Sequence, residues 1–237
     1  DEGKADIAQQ RVDKFLQAHP GQSEATRLQA QLRRRAGASG ADIATLLANA
    51  VKVNPADISL RLHLVQQHEA NGRKDLALAA AQDAAAAFPN DSQIVDALGR
   101  AQVNSGDRAQ GLATFGKLVS MRADSPLGHL RIAEAHLTSK NFDAARTSLG
   151  RAAALAPESP DILARRVTVE LAAGKSGQAL EMARAFQTRQ PKMNAGFVIE
   201  GDVHAAASQW APAVAAYRQG LKRQPSTDVA VRLHAAL

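Results

Sequence analysis

Residues 174–176 read Gly-Lys-Ser, the residues that end the phosphate-binding loops of many nucleotide-binding proteins. Such a loop has a further glycine five residues before Gly174, but Val169 stands there. It also follows a β-strand, whereas the preceding segment TVELAA favours a helix. The pattern therefore predicts a bend between two helices, with Lys175 pointing to solvent, and no nucleotide site.

Three histidines, His68, His136 and His204, stand at equal intervals along the chain, which invites a metal site or a pH switch. Packed helices lie about 8–10 Å apart, and zinc holds imidazole nitrogens at about 2.0–2.1 Å. Histidines separated by several stacked helices cannot share one ion. We expect each to fill a slot between helices with its hydrogen bonding satisfied, and a pH-sensitive packing role is the alternative.

Signatures of catalysis are missing from the sequence. It contains no cysteine, no Gly-x-Ser-x-Gly elbow and no His-Glu-x-x-His pair. Glu69 follows His68 directly, but adjacent residues on a helix point in different directions. The sequence predicts a protein that is not an enzyme and that uses no cofactor or metal.

The composition limits the possible partners. The chain has 237 residues, is 45% hydrophobic and only 3% aromatic, and carries a net charge of +6. Its basic residues cluster only at Arg33-Arg34-Arg35 and Lys222-Arg223, and few aromatic rings are available to stack on bases, so we expect no nucleic-acid binding. No apolar run approaches the ~20 residues of a membrane span, so none is expected in this segment.

Prolines mark a repeat along the whole chain. They recur at a nearly constant step at Pro20, Pro55, Pro89, Pro157, Pro191 and Pro225. The one gap of twice that step, between Pro89 and Pro157, has its skipped position at Ala123, close to Pro126. The step is a period of about 34 residues, which is typical of stacked helix pairs.

Other columns of the alignment follow the same period. Small or apolar residues recur twelve, eight and five positions before each proline position, a spacing that places them on one helix face. Seventeen positions before it stand Gly3, Gly72, Gly106, Lys140, Gly174 and Ser208, where glycine suits the left-handed residue that ends a helix. Each unit is thus predicted to be a helix, a tight turn and a second helix, with capped starts at Asn90-Asp91-Ser92 and Pro225-Ser226-Thr227-Asp228.

These columns resemble the tetratricopeptide repeat over essentially the whole chain. The resemblance implies an all-α, right-handed superhelical solenoid of antiparallel helix pairs. The unit boundaries would be a partial repeat at 1–22, full repeats at 23–57, 58–91, 92–125, 126–159, 160–193 and 194–227, and a partial repeat at 228–237. The column that is usually aromatic on the first helix departs from the family and holds His68, Gln102, His136, Glu170 and His204.

The half repeats at both ends lack the polar caps expected of a complete array. We therefore expect a fragment of a longer array, and two natural half-repeat caps are the alternative.

The resemblance also implies a concave groove lined by the first helices, with a protein or peptide as partner. Their outward positions form a mixed polar surface without lysine, so the lysine-and-asparagine clamp that some members use for acidic chain termini is missing. The predicted groove residues are Gln66, Glu69, Gln93, Asp96, Arg100, Asn104, Glu134, Thr138, Thr168 and Asp202.

Segments 114–137 and 186–237 resemble a narrower group, the repeat lipoproteins of the bacterial PEP-CTERM/exosortase protein-sorting system. The phrases that carry this resemblance include Asp124-Ser125-Pro126-Leu127, Glu200-Gly201-Asp202 and Ala216-Tyr217-Arg218. It implies a periplasmic scaffold for exopolysaccharide export or protein sorting, anchored in the outer membrane through a lipidated terminus outside this segment. A cytoplasmic location is the alternative.

A second functional hypothesis is a periplasmic domain that contacts polysaccharide. Sugar rings usually stack on exposed aromatics, and we expect Trp210 and Tyr217 to pack between helices instead. The protein-partner hypothesis therefore leads, and the oligomeric state is open.

Overall fold

The computed structural model describes residues 2–237, with side chains from residue 7 onward. Fourteen α-helices and no β-strand occur in this range. They are α1 (Glu2–Ala18), α2 (Ser23–Arg35), α3 (Gly40–Val53), α4 (Ile58–Ala70), α5 (Lys74–Ala87), α6 (Ser92–Ser105), α7 (Arg108–Met121), α8 (Leu127–Leu137), α9 (Phe142–Leu155), α10 (Pro160–Ala172), α11 (Ser176–Arg189), α12 (Ala195–Ala206), α13 (Trp210–Arg223) and α14 (Thr227–Ala236).

The helices fall into two compact units, Asp1–Arg122 and Ala123–Leu237, each described by itself. Within each unit consecutive helices pack against each other. We call α2, α4, α6, α8, α10, α12 and α14 the first helices, and the others the second helices. The helix pairs lie inside the predicted repeat spans, except that α14 begins at Thr227, and the repeat boundaries themselves stay a prediction.

Short polar caps set where the helices begin. The Asp91 carboxylate accepts hydrogen bonds from the Gln93 and Ile94 amides, at 2.9 and 3.0 Å, so the predicted cap of α6 is confirmed. Ser39 and Asp42 form a capping box on α3. Ser226 is the N-cap of α14, but its side chain makes no capping hydrogen bond.

The small and apolar columns form the core of each helix pair. In the column eight positions before the proline position, Leu47, Ala81, Phe115, Leu149, Ala183 and Tyr217 are all buried. Helix α1 is the exception, because Phe15 of the neighbouring column remains 45% exposed. The packing of these columns fixes the positions of the first helices and therefore of the polar side chains that they carry.

Left-handed residues end the first helices at the predicted turns. Gly72, Gly106 and Gly174 have φ values of 69°, 106° and 74°, and Lys140 and Ser208 adopt 57° without being glycine. Gly3 does not fit, because it lies inside α1. Between α2 and α3 the turn is made by Gly37, at φ 89°. This glycine is not at one of the turn positions that the proline period predicts.

None of the helices described combines the length and hydropathy that a membrane crossing needs.

Candidate functional site

The predicted groove residues lie on five first helices, two in the first unit and three in the second. Gln66 and Glu69 are on α4, and Gln93, Asp96, Arg100 and Asn104 are on α6. Glu134 is on α8 with Thr138 at its C-cap, Thr168 is on α10, and Asp202 is on α12. Their uncharged members are all exposed, and their charged members are half-buried.

In the first unit, Glu69, Asp96 and Arg100 form one ion-pair cluster. Arg100 Nη1 lies 2.9 Å from Glu69 Oε2, and Arg100 Nε lies 3.2 Å from Asp96 Oδ2. The side chains are only 14–27% exposed, because α4 and α6 pack side by side. The single Arg100 guanidinium offsets one of the two carboxylate charges in this cluster.

In the second unit, arginines that the sequence reasoning missed hold the predicted acids. Glu134 is bridged by Arg165 on the next first helix, at 2.6 Å, and also pairs with Arg131 on its own helix, at 2.9 Å. Asp202 is bridged by Arg232 of α14, at 2.7 Å, and accepts the Tyr217 hydroxyl, at 2.8 Å.

Together with Glu69–Arg100, these contacts define an acid–arginine bridge between neighbouring first helices. The arginine follows the acid by 31, 31 and 30 residues in the three cases. This separation is close to the length of one repeat. Acids and arginines at this separation were therefore the signal in the sequence that could have predicted the bridges. The threonines make no such bridge, and Thr138 and Thr168 each donate to a carbonyl of their own helix.

Gln66 also borders a pocket of about 420 Å³ between α2, α3 and α4. Its floor is apolar, with Ala30, Ile43 and Leu47 all buried. Arg27, Arg34 and His63 stand around it, and none of the described residues that line it is acidic. The sequence reasoning noted the Arg33–Arg35 cluster but not this pocket.

Gly174-Lys175-Ser176 is the turn between α10 and α11. Gly174 adopts the left-handed conformation, and the Lys175 amide donates to the Glu170 carbonyl, at 2.7 Å, which closes the end of α10. The Lys175 side chain is exposed, as predicted. Because a helix precedes this turn where a phosphate loop has a strand, the local structure is that of a helix connection.

His204 and His68, two of the three regularly spaced histidines, have different surroundings. His204 Nδ1 lies 2.7 Å from Gln209 Oε1, which satisfies the expected hydrogen bond. The Nδ1 atom of His68 is buried without a hydrogen-bond partner among the described residues, so the expectation is wrong there. Burial, and then the charge of Arg73, hold the pKa of His68 below its ordinary value, while Asp75 acts in the opposite direction. Nowhere in residues 7–237 do three or more acidic or histidine side chains gather closely enough to hold a metal ion.

The same column contains a buried ion pair that the sequence reasoning did not find. Glu170 is 1% exposed, and its two carboxylate oxygens lie 2.7 and 3.0 Å from Nε and Nη2 of Arg146 on α9. In the first unit Gln102 occupies this column and accepts the Thr114 hydroxyl, at 2.7 Å. Hydrogen-bonded polar side chains thus replace the aromatic ring at these positions.

The two aromatic residues considered for sugar binding differ. Tyr217 is buried, and burial, followed by its hydrogen bond to Asp202, raises the pKa of its hydroxyl. Trp210 is 51% exposed at the start of α13, so its predicted packing position is wrong.

Comparison with known proteins supports this architecture. Residues 97–160 match the family model described as tetratricopeptide repeat. A tetratricopeptide repeat protein from Parabacteroides merdae has a similar structure with a TM-score of 0.65 at 14% identity, over 100% of this chain and 93% of that one. Yeast Tom70 gives 0.67 at 12% identity, over 96% of this chain and 49% of that one.

A thermophilic tetratricopeptide protein from Thermus thermophilus gives a TM-score of 0.52 at 20% identity, over 76% of this chain and 98% of that one. No curated protein sequence matches significantly. At these identities the likeness concerns the fold, and it confirms the predicted all-α solenoid of helix pairs.

Proposed function

We propose that this chain, which has the tetratricopeptide-repeat fold, is a non-catalytic scaffold that binds a protein or peptide partner along its first helices. One observation carries the proposal, namely the exposed amide and hydroxyl side chains on the first helices of each unit: Gln66, Gln93 and Asn104 in the first, and Thr138 and Thr168 in the second. Such groups both donate and accept hydrogen bonds, and therefore suit a peptide backbone or polar side chains. The neighbouring acids are held by arginines and lend the surface rigidity.

Rigid support favours binding, because less conformational freedom is lost when the partner docks. The fold itself is usually non-catalytic, which agrees with the absence of catalytic motifs from the sequence.

A narrower form of the proposal places the scaffold in a bacterial envelope system that exports exopolysaccharide or sorts proteins. It is supported by the phrases in 114–137 and 186–237 that resemble PEP-CTERM/exosortase repeat lipoproteins. In that setting the chain would face the periplasm and be anchored to the outer membrane by a lipid outside this segment. Immunoblotting of fractionated cells from the source organism, with a cytoplasmic location as the contrary outcome, tests this form.

The binding proposal is tested by placing charge on the exposed face without disturbing the bridges. Gln93→Lys and Asn104→Lys should each reduce crosslinking to the partner in native extract by about tenfold or more, since each buries an unpaired charge at the contact. Gln82→Lys, on the exposed side of second helix α5, is the matched control and should leave crosslinking unchanged. Equal crosslinking by all three variants would show that the partner does not bind at Gln93 and Asn104 on the first helices.

The exposed ring of Trp210 favours a second candidate, direct contact with polysaccharide, because sugar rings stack on accessible aromatic faces. Trp210 is the single tryptophan, so its fluorescence reports on this position alone. Titration with exopolysaccharide should shift the emission if the ring is a contact, and Trp210→Ala should abolish retention on a polysaccharide column. An unchanged emission spectrum would eliminate this candidate.

A further inference from the structure

The pocket between α2, α3 and α4 differs in its charge from three other first-helix contacts. At three first-helix pairs, an arginine is neutralised by an acid of the neighbouring first helix: Glu69–Arg100, Glu134–Arg165 and Asp202–Arg232. Between α2 and α4 the arginines Arg27 and Arg34 border the pocket with only neutral or basic residues among its described lining. Here the acidic half of the bridge is missing.

Arg34 is held in place by a buried amide. Its Nη2 donates to Gln67 Oε1, at 2.6 Å, and Gln67 is only 6% exposed. The Gln67 amide in turn donates to Asn71 Oδ1, at 2.9 Å, and to the Gly40 carbonyl, at 3.3 Å. This chain of hydrogen bonds fixes one guanidinium at the pocket edge without cancelling its charge.

Arg27 supplies a second positive charge near His63. No ion pair joins Arg27 to any described acidic side chain, and the Arg27 charge acts on the His63 ring across the pocket. Asp57, at the start of α4, attracts the same ring, but its carboxylate already accepts the Leu60 amide, at 2.9 Å. The rim is therefore electropositive and can stabilise an added carboxylate.

The floor adds a second requirement. The buried side chains of Ala30, Ile43 and Leu47 form the apolar base of the pocket, and its volume of about 420 Å³ falls within the range of small ligand sites. Among the described residues that line it, His63 carries the one aromatic ring, and no Phe, Tyr or Trp is available for a nucleic-acid base to stack on. The preferred occupant combines an aliphatic group with an anionic one.

We propose that the α2–α4 pocket binds an acidic segment of a partner protein, with an Asp or Glu carboxylate between Arg27 and Arg34 and a neighbouring aliphatic side chain on the Ala30–Ile43–Leu47 floor. The partner carboxylate supplies the negative charge that Glu69, Glu134 and Asp202 supply at the other bridges. This inference rests on the proposed scaffold function and specifies the chemistry of its partner.

An array of soluble fluorescein-labelled octapeptides, varied in aliphatic and acidic content, tests the proposal against the intact 237-residue chain. Peptides with a leucine or isoleucine beside Glu should bind at least about tenfold more tightly than the same peptides with Gln, because a charged hydrogen-bonded contact is lost. Arg27→Gln should remove that preference. Arg35→Gln, an exposed arginine on the same helix that does not line the pocket, is the matched control and should keep it.

Equal binding of Glu and Gln peptides, or equal loss in Arg27→Gln and Arg35→Gln, overturns the acidic-segment proposal and leaves the scaffold proposal standing. An array that binds no peptide overturns the acidic-segment proposal, and the crosslinking experiment on Gln93 and Asn104 decides the scaffold independently. Binding of a labelled single-stranded RNA that depends on Arg27 and exceeds peptide binding would assign the pocket to nucleic acid and also overturn the proposal. Circular dichroism spectra of the variants should coincide with that of the parent chain, because neither Arg27 nor Arg35 is buried.

Discussion

Arg146 joins two carboxylates that differ greatly in their contact with water. Glu170 is 1% exposed, and Asp143 on the other side of the guanidinium is 92% exposed. Both contacts raise the pKa of Arg146, that with Glu170 the more strongly. A buried carboxylate depends on its partner far more than an exposed one, because water can solvate only the exposed one.

Arg146→Ala should therefore lower the free energy of unfolding by about 2–3 kcal/mol, since it leaves Glu170 buried and unpaired. That figure lies at the low end for buried pairs, because Arg146 itself is 30% exposed. Urea unfolding monitored by circular dichroism measures the change.

Two further variants separate the ion pair from simple loss of packing. Asp143→Ala should change the stability by less than about 0.5 kcal/mol. Arg146→Ala combined with Glu170→Leu should recover part of the loss, because no buried charge remains. A double variant as unstable as the sum of its single changes would show that the pair does not act as a unit.

At the scale of elements, the glycines and aromatics of the helix pairs have matching sizes. A Cβ added to Gly99 would lie 2.4 Å from Phe115, and one added to Gly201 would lie 2.4 Å from Tyr217. Where the second helix carries a small residue, the first helix carries a larger one. Ala81 of α5, for example, lies in one core cluster with Val65 of α4. The combined volume of the two side chains is therefore similar from pair to pair, although the larger side chain comes from the first helix in some pairs and from the second helix in others.

A residue exchange tests this size matching. Gly99→Val should cost roughly 1–3 kcal/mol by overpacking, and Phe115→Ala roughly 3–5 kcal/mol by opening a cavity. The double variant recreates the arrangement of Val65 and Ala81, so it should be more stable than the sum of the two changes predicts, by roughly 1–3 kcal/mol. Strict additivity in chemical unfolding would contradict the size matching.

The turns offer a second prediction for the elements. Lys140 and Ser208 hold φ values of 57°, a conformation that costs non-glycine residues energy, whereas glycine adopts it freely. Lys140→Gly and Ser208→Gly should each stabilise the chain by up to about 1 kcal/mol, and Gly174→Ala should destabilise it by a similar amount. Thermal unfolding measures both changes, and a destabilised Lys140→Gly variant would show that its side chain outweighs the backbone strain.

The repeating elements were predictable from the sequence because each relies on local periodicity. Proline positions, buried columns and left-handed turns recur at fixed offsets, so Gly174 could be assigned to a turn by comparison with Gly72 and Gly106. The site was less predictable, because its contacts depend on side chains that reach between helices. Glu134 and Asp202 were found as outward acids, but not the arginines that hold them.

The exposure of Trp210 and the Arg146–Glu170 ion pair were not predicted, and both depend on contacts between helices. Trp210 is exposed although it begins α13 as Phe142, which packs on the core, begins α9, and a column of residue types does not reveal this difference. The Arg146–Glu170 pair replaces an aromatic ring by long polar side chains from two helices. Neither feature follows from the repeat period.

At the scale of the whole molecule, half-buried histidines couple stability to pH. Burial is the first cause that lowers the pKa of His63, His68 and His129 below 6.5. The neighbouring arginines Arg27, Arg73 and Arg151 act in the same direction. The Nδ1 atoms of His68 and His129 also lack a hydrogen-bond partner among the described residues, so a proton added there gains no acceptor.

The sign of the effect follows from proton binding. As the pH falls through 6.5, these histidines take up protons in the unfolded chain before they do so in the folded chain. The melting temperature should therefore fall between pH 7 and pH 5, measured by circular dichroism at constant ionic strength. The lowered pKa values of Asp42 and Asp75 lie below 3.8, so the stability that these carboxylates add is lost only at more acidic pH.

Replacing the three histidines by glutamine isolates their contribution, because glutamine keeps a polar side chain without a proton that titrates in this range. The triple variant should show a flatter melting profile between pH 7 and pH 5 than the parent chain. His19→Gln and His234→Gln change exposed histidines near the two ends and are the matched controls for the substitution itself. A parent chain whose melting temperature rises as the pH falls would contradict the lowered pKa values, because protonation would then stabilise the folded state.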